Sequence, residues 1–124
     1  MCSTVPLLAS TLVVRHDVAV VTVLGDLDLA GTDTIRVQLG RACALAVRAV
    51  VVDVSQLRFL DCRGARSLVR SRSRALEDGK AFALAAPTPG LGRYLHLTGV
   101  DRQVPTYDSI GQAVDRLLGR RPAA

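Results

Sequence analysis

At 124 residues, with 49 % of them apolar, the chain has the length of one domain and enough material for a core. That core has to be aliphatic, because there is no Trp and only two Phe and two Tyr, which also leaves few rings for stacking nucleobases. The formal charge of +5, carried by fifteen Arg and one Lys, suits an acidic partner, whereas three cysteines (Cys2, Cys43 and Cys62) without C-x-x-C spacing argue against a disulfide framework or structural zinc.

In chain order, residues 1–10 carry little pattern and are expected to form a flexible arm. Residues 11–15 and 18–24 are strand-like on either side of His16-Asp17, so they predict an antiparallel hairpin whose second strand is central. Gly25-Asp26-Leu27-Asp28 closes that strand. A helix is predicted over 32–46, with Ile35, Leu39, Ala42, Cys43 and Ala46 facing inward. Residues 50–64, VVVDVSQLRFLDCRG, then hold a short β-branched strand buried on both faces, a polar break at Ser55, a second apolar step at Leu57, Phe59 and Leu60, and the turn Asp61-Cys62-Arg63-Gly64. The second helix is predicted from 63 to 78, stopping before Gly79. A strand over 81–86 follows, and then a short helix opened by Pro87-Thr88-Pro89-Gly90 and containing Leu91, Tyr94 and Leu95. A strand over 103–107 comes next. Asp108-Ser109 caps a last helix whose Ile110, Ala113, Val114, Leu117 and Leu118 form an inner stripe, and residues 119–124 make a basic tail. A hairpin followed by alternating strands and helices predicts a single α/β domain over 11–118, a mixed sheet with parallel crossovers and about four helices.

Ligands and partners of open α/β sheets gather at strand-to-helix turns, and the N–H groups of a helix start favour negative charge. The stretch ending in Asp61–Gly64 is therefore the expected functional site. Little points to catalysis. There is no Gly-Lys-Ser/Thr phosphate loop, and Gly90-Leu91-Gly92 lacks a third glycine. His16 sits in a turn and His96 near a helix end, with no motif around a serine to complete a triad. Asp26 and Asp28 alternate with Leu27 and Leu29 and so share one side, but no further ligand lies nearby in sequence, and turn or capping roles are expected for them. No enzyme activity, cofactor or metal is expected. No apolar run approaches the roughly 18 residues a membrane span needs. The N-terminus lacks the basic flank and apolar block of a signal peptide, so a cytoplasmic location is expected.

The order of these elements, with Gly25-Asp-Leu-Asp28, Val50-Val-Val-Asp-Val-Ser55, Phe59-Leu-Asp-Cys-Arg-Gly64, Leu97-Thr-Gly-Val-Asp101 and Tyr107-Asp-Ser109, resembles the STAS domain of bacterial anti-sigma factor antagonists. The resemblance covers about residues 11–118. It implies a regulator of transcription that binds an anti-sigma factor, itself a serine kinase, and so frees a sigma factor. In that family the turn after the third strand usually reads Asp-Ser-Ser-Gly or Asp-Ser-Thr-Gly. Its second hydroxyl residue accepts a phosphate that adds nearly two negative charges and ends the contact.

Here Asp61 and Gly64 match, while Cys62 and Arg63 replace both hydroxyl residues. Arg63 stands at the acceptor position with a permanent positive charge. A binder without the phosphorylation switch is the expectation, with Ser67 one turn further on as an alternative acceptor and Cys62 as a redox-sensing alternative. Arg63, Arg66, Arg70 and Arg74 step along one helix face, with Leu68, Val69, Ala75 and Leu76 on the other and Arg72 near the apolar side. An acidic protein surface, rather than nucleic acid, is the expected complement. The expected partner surface comprises Asp26, Asp28, Leu60, Asp61, Cys62, Arg63, Gly64, Arg66 and Arg70. The alternative is a STAS subunit of a larger complex, such as a signalling scaffold or the cytoplasmic part of a lipid transporter.

Overall fold

The computed structural model describes residues 8–28 and 31–119. Its elements are β1 (Leu8–Arg15), β2 (Val18–Leu27), α1 (Thr32–Ala44), β3 (Ala49–Leu60), α2 (Cys62–Glu77), β4 (Ala81–Ala85), α3 (Pro89–Thr98), α4 (Val100–Gln103), β5 (Thr106–Tyr107) and α5 (Ile110–Leu117). The five strands form one sheet in the order β1-β2-β3-β4-β5. The first pair is antiparallel and the others are parallel, as the sequence predicts for a single mixed-sheet α/β domain.

The hairpin turns on His16 and Asp17, both at positive φ (49° and 67°), the left-handed pair that suits the twist of a two-residue β-turn. The Arg48 N–H donates to the Asp17 carbonyl at 2.7 Å, tying this turn to the start of β3.

The alternation of β3 explains its unbroken apolar run. Val50, Val52 and Val54 join the larger core with Ile35, Leu39 and Ala42 of α1, Ala65 and Leu68 of α2, and Leu95 of α3. Ala49 and Val51 point to the other face, where α5 closes a smaller core through Ala113, Ile110, Val114 and Leu117. A strand covered on both faces has no need of polar alternation. Each fully buried Val contributes about 1.5–3 kcal/mol relative to an exposed one.

Several boundaries differ from the sequence prediction. β1 begins at Leu8, whose side chain is buried, so residues 8–10 of the expected arm belong to the strand, and residues 1–7 lie outside the described ones. The tail expected over 119–124 is described only at Gly119. α1 ends at Ala44, which leaves Ala46 exposed rather than on the inner face. Leu76 is likewise exposed. The predicted strand over 103–107 shortens to Thr106–Tyr107. Residues 100–103 form the single turn α4, making five helices among the described residues where about four were expected.

The largest difference lies in β3, which runs on through Ser55 and Gln56 to Leu60 instead of breaking. Two bulges absorb the polar residues. Between Thr22↔Asp53 and Leu24↔Gln56, β2 advances two residues and β3 three; between Gly25↔Leu57 and Asp26↔Phe59, β2 advances one and β3 two. The first bulge is fastened by Asp53, a buried charged side chain. It accepts from the Ser55 N–H at 3.0 Å and from the Thr22 hydroxyl at 3.4 Å.

Candidate functional site: a capped turn and an arginine-lined groove

The parallel register Leu27↔Leu60 sets the end of β2 beside the end of β3, so their two strand-to-helix turns are neighbours. In the second turn, buried Leu60 ends the strand and Asp61 caps α2. One carboxylate oxygen accepts from the N–H groups of both Arg63 (3.0 Å) and Gly64 (2.9 Å). The sequence suggested a helix start open to negative charge. Its N–H groups are instead engaged by the chain's own carboxylate, so an added anion would meet an occupied cap.

Gly64 is required by close approach rather than by dihedral angle. A Cβ there would stand 2.3 Å from the Leu27 carbonyl oxygen and 2.9 Å from side-chain atoms of Leu27 and Leu60. The first turn of α2 is thus pressed against the end of β2. Cys62 and Arg63, on the outer side of this turn, are exposed.

Asp26 and Asp28 take structural partners beside this site. Asp26 is half-buried and lies 3.4 Å from the Arg58 guanidinium, and Asp28 accepts from the Gly31 N–H at 3.3 Å. Among the described residues no group of three or more His, Cys, Asp or Glu is placed to hold a metal ion. His96 pairs with Asp101 at 3.1 Å, away from the turn in sequence and on a different helix.

From the turn, the arginines of α2 run along a groove of about 470 Å³ between α1 and α2. Arg63, Arg66, Arg70 and Arg74 line it from α2, and Arg36 lines it from α1. Leu39 and Cys43 of α1 provide apolar lining. Half-buried Ser67 also lines the groove, and its carbonyl accepts from the Ser71 hydroxyl at 2.9 Å. Burial first, and then Asp78, push the Cys43 thiol up from its ordinary value, against the opposing pull of Lys80 and Arg74. The carboxylate in the lining, Asp33, pairs with Arg36 at 2.9 Å. Arg63, Arg66, Arg70 and Arg74 form no ion pair among the described residues.

The sequence placed these four arginines on one face of a helix but not opposite α1. Arg36 was missed altogether, because only the packing of two helices on the same side of the sheet brings it across. Arg72, expected near the apolar side, is half-buried, and its Nε is buried without a hydrogen-bond partner.

The STAS domain model matches residues 9–113, most of the chain. The chain belongs to the STAS domain family. Solved STAS-like structures agree in fold. An anti-sigma factor antagonist from Mycobacterium paratuberculosis superposes with a TM-score of 0.80 at 25 % identity, over 90 % of this chain and 94 % of that one. The anti-sigma factor antagonist SpoIIAA, a Bacillus cell fate determinant, in its unphosphorylated form gives 0.71 at 24 %, over 92 % and 100 %. A sulfate transporter family protein from Wolinella succinogenes gives 0.72 at 16 %, over 86 % and 88 %. Within the described part of this STAS domain, no helix is long and apolar enough to cross a membrane.

Proposed function

We propose that this STAS domain is an anti-sigma factor antagonist that binds a kinase-type anti-sigma factor, releases a sigma factor, and does so without the serine phosphorylation switch. The observation that carries the reading is Arg63. It stands exposed where the family pattern has its hydroxyl acceptor, on a turn held rigid by Asp61 and Gly64. A guanidinium offers no hydroxyl to a serine kinase, and its fixed charge favours a carboxylate-bearing surface at all physiological pH values. Arg66 and Arg70 continue that charge along α2, while buried Leu60 supports the turn, exposed Cys62 stands beside Arg63 on its outer side, and Asp26 and Asp28 flank it. Ser67, half-buried against the groove, is better suited to packing than to phosphorylation.

A pull-down of cognate anti-sigma factors by the wild-type chain and by Arg63→Glu tests this directly. We expect capture by the wild type and at least a tenfold loss, about 1.4 kcal/mol, in the variant. No capture by the wild type would refute it. Incubation with the partner kinase and ATP is expected to leave the intact mass unchanged, and a single added phosphate, at Ser67 or elsewhere, would restore a covalent switch. The likeness to a sulfate transporter family protein supports the second reading, a STAS subunit of a larger assembly. Native mass and co-purifying neighbours separate the two.

A further inference from the structure

We infer that the groove between α1 and α2 is a binding site for a small oligophosphate, a ligand carrying two or more linked phosphate groups. Four arginines occur at steps of three, four and four residues along α2, a span of about 16 Å at 1.5 Å per residue. Like charges at such spacing repel one another and cost helix stability. Among the described residues no carboxylate forms an ion pair with Arg63, Arg66, Arg70 or Arg74, and the groove's Asp33 is already paired with Arg36. An anion bridging the arginines removes that repulsion on binding.

The shape selects a small ligand. The volume of about 470 Å³ falls in the range of small-molecule sites. At Gly40 on the α1 wall, nothing lies within 4 Å of where a Cβ would stand, so the recess is open there. Arginine recognises phosphate oxygens through paired N–H groups, and several such forks favour several phosphates over one. No aromatic side chain is among the lining residues, so nothing in the groove would stack on a nucleobase. Duplex nucleic acid is read by a protruding helix or ribbon entering a groove of the duplex, whereas these arginines line a recess in the protein.

One consequence rests on the proposed function. Arg63, Arg66 and Arg70 would be shared by ligand and partner, so each would weaken the other by the same factor. A diffusible phosphate would then place negative charge beside a turn that lacks the family's hydroxyl acceptor.

Isothermal titration calorimetry of the full chain with inorganic tripolyphosphate, at physiological ionic strength, tests the site. We expect one ligand per chain, with tripolyphosphate binding more tightly than pyrophosphate and pyrophosphate more tightly than orthophosphate. Arg36→Ala and Arg74→Ala lie outside the proposed partner surface, and each is expected to weaken tripolyphosphate about tenfold. Arg93→Ala and Arg102→Ala, on other helices, are expected to leave it unchanged, and circular dichroism confirms that each variant is folded. ATP is expected to bind no more tightly than tripolyphosphate. Tighter binding of ATP, absence of measurable heat, equal losses in Arg93→Ala, or stronger binding of a short DNA duplex would each overturn the proposal. Tripolyphosphate binding alongside an empty anti-sigma pull-down would leave the site standing and remove the partner. Capture of the partner without tripolyphosphate binding would do the reverse.

Discussion

The two turns that lie side by side at the ends of β2 and β3 have the same sequence skeleton. One reads Asp28-Leu-Ala-Gly31 and the other Asp61-Cys-Arg-Gly64. In both, the aspartate accepts from the glycine N–H three residues on, at 3.3 Å in the first and 2.9 Å in the second. In both, the glycine lies against the neighbouring strand. They differ at the helix start. Asp61 also accepts from the Arg63 N–H and is the N-cap of a 16-residue helix, whereas the N-cap residue of α1 is Gly31, which has no side chain to cap with. The added Cβ at position 31 would meet the end of Leu8 at 2.9 Å and, less tightly, the Asp26 carbonyl oxygen at 3.2 Å, while at position 64 it would meet a backbone oxygen at 2.3 Å. The turn that displays Arg63 is held by a doubly bonded cap and a close backbone contact, which lowers the entropy lost when its backbone is held by a partner.

The largest expected effect tests this contrast in the glycines. Gly64→Ala should cost about 3 kcal/mol, because Leu27 or the helix start must move, and Gly31→Ala less, about 1 kcal/mol, since the end of Leu8 can turn aside and the Asp26 carbonyl need give by only a few tenths of an ångström. Urea unfolding of both variants measures the difference, and equal losses would show the turns to be equally tight. Next in size is the cap. Asp61→Ala should lose about 1 kcal/mol, and Asp61→Asn, which keeps an accepting oxygen, only about 0.3 kcal/mol. A full loss in the Asn variant would make the carboxylate's charge, rather than its hydrogen bonds, the anchor. The smallest effect belongs to Cys62. Exposed and off the core, Cys62→Ala should change stability by less than about 0.5 kcal/mol. In a Cys2→Ser background, iodoacetamide should modify Cys62 while sparing Cys43, whose thiol is buried and pushed up chiefly by that burial. Mass mapping checks this, and protection of Cys62 would mean that the second turn is covered.

Much of this arrangement was legible in local sequence. The hairpin followed from His16-Asp17 and α5 from Ser109, which caps as expected, whereas the Asp61 cap of α2 was not foreseen. What escaped was set by contacts remote in sequence. Ser55 and Gln56 look like a break because bulging depends on β2 and on the side chain of Asp53, neither visible in a period-two pattern. Leu8 looks unpatterned because its burial comes from pairing opposite Gly25. At the site, the Arg face of α2 could be read from spacing. The groove needs Arg36 and Leu39 from α1, more than twenty residues upstream, and no spacing rule links two helices that meet through a sheet.

β3 pairs with β4 only over Ala49 to Asp53, while its pairing with β2 continues to Leu60. Its last seven residues thus run beyond β4, in a sheet that is three-stranded as far as Leu57 and two-stranded from there to Leu60, with the Arg63 turn next. Movement of that end of β3 on capture of a partner would meet the Asp53 bulge before it reached the central valines. A bound complex would then announce itself by slowed amide exchange outboard of Asp53, with the interior of the sheet unchanged.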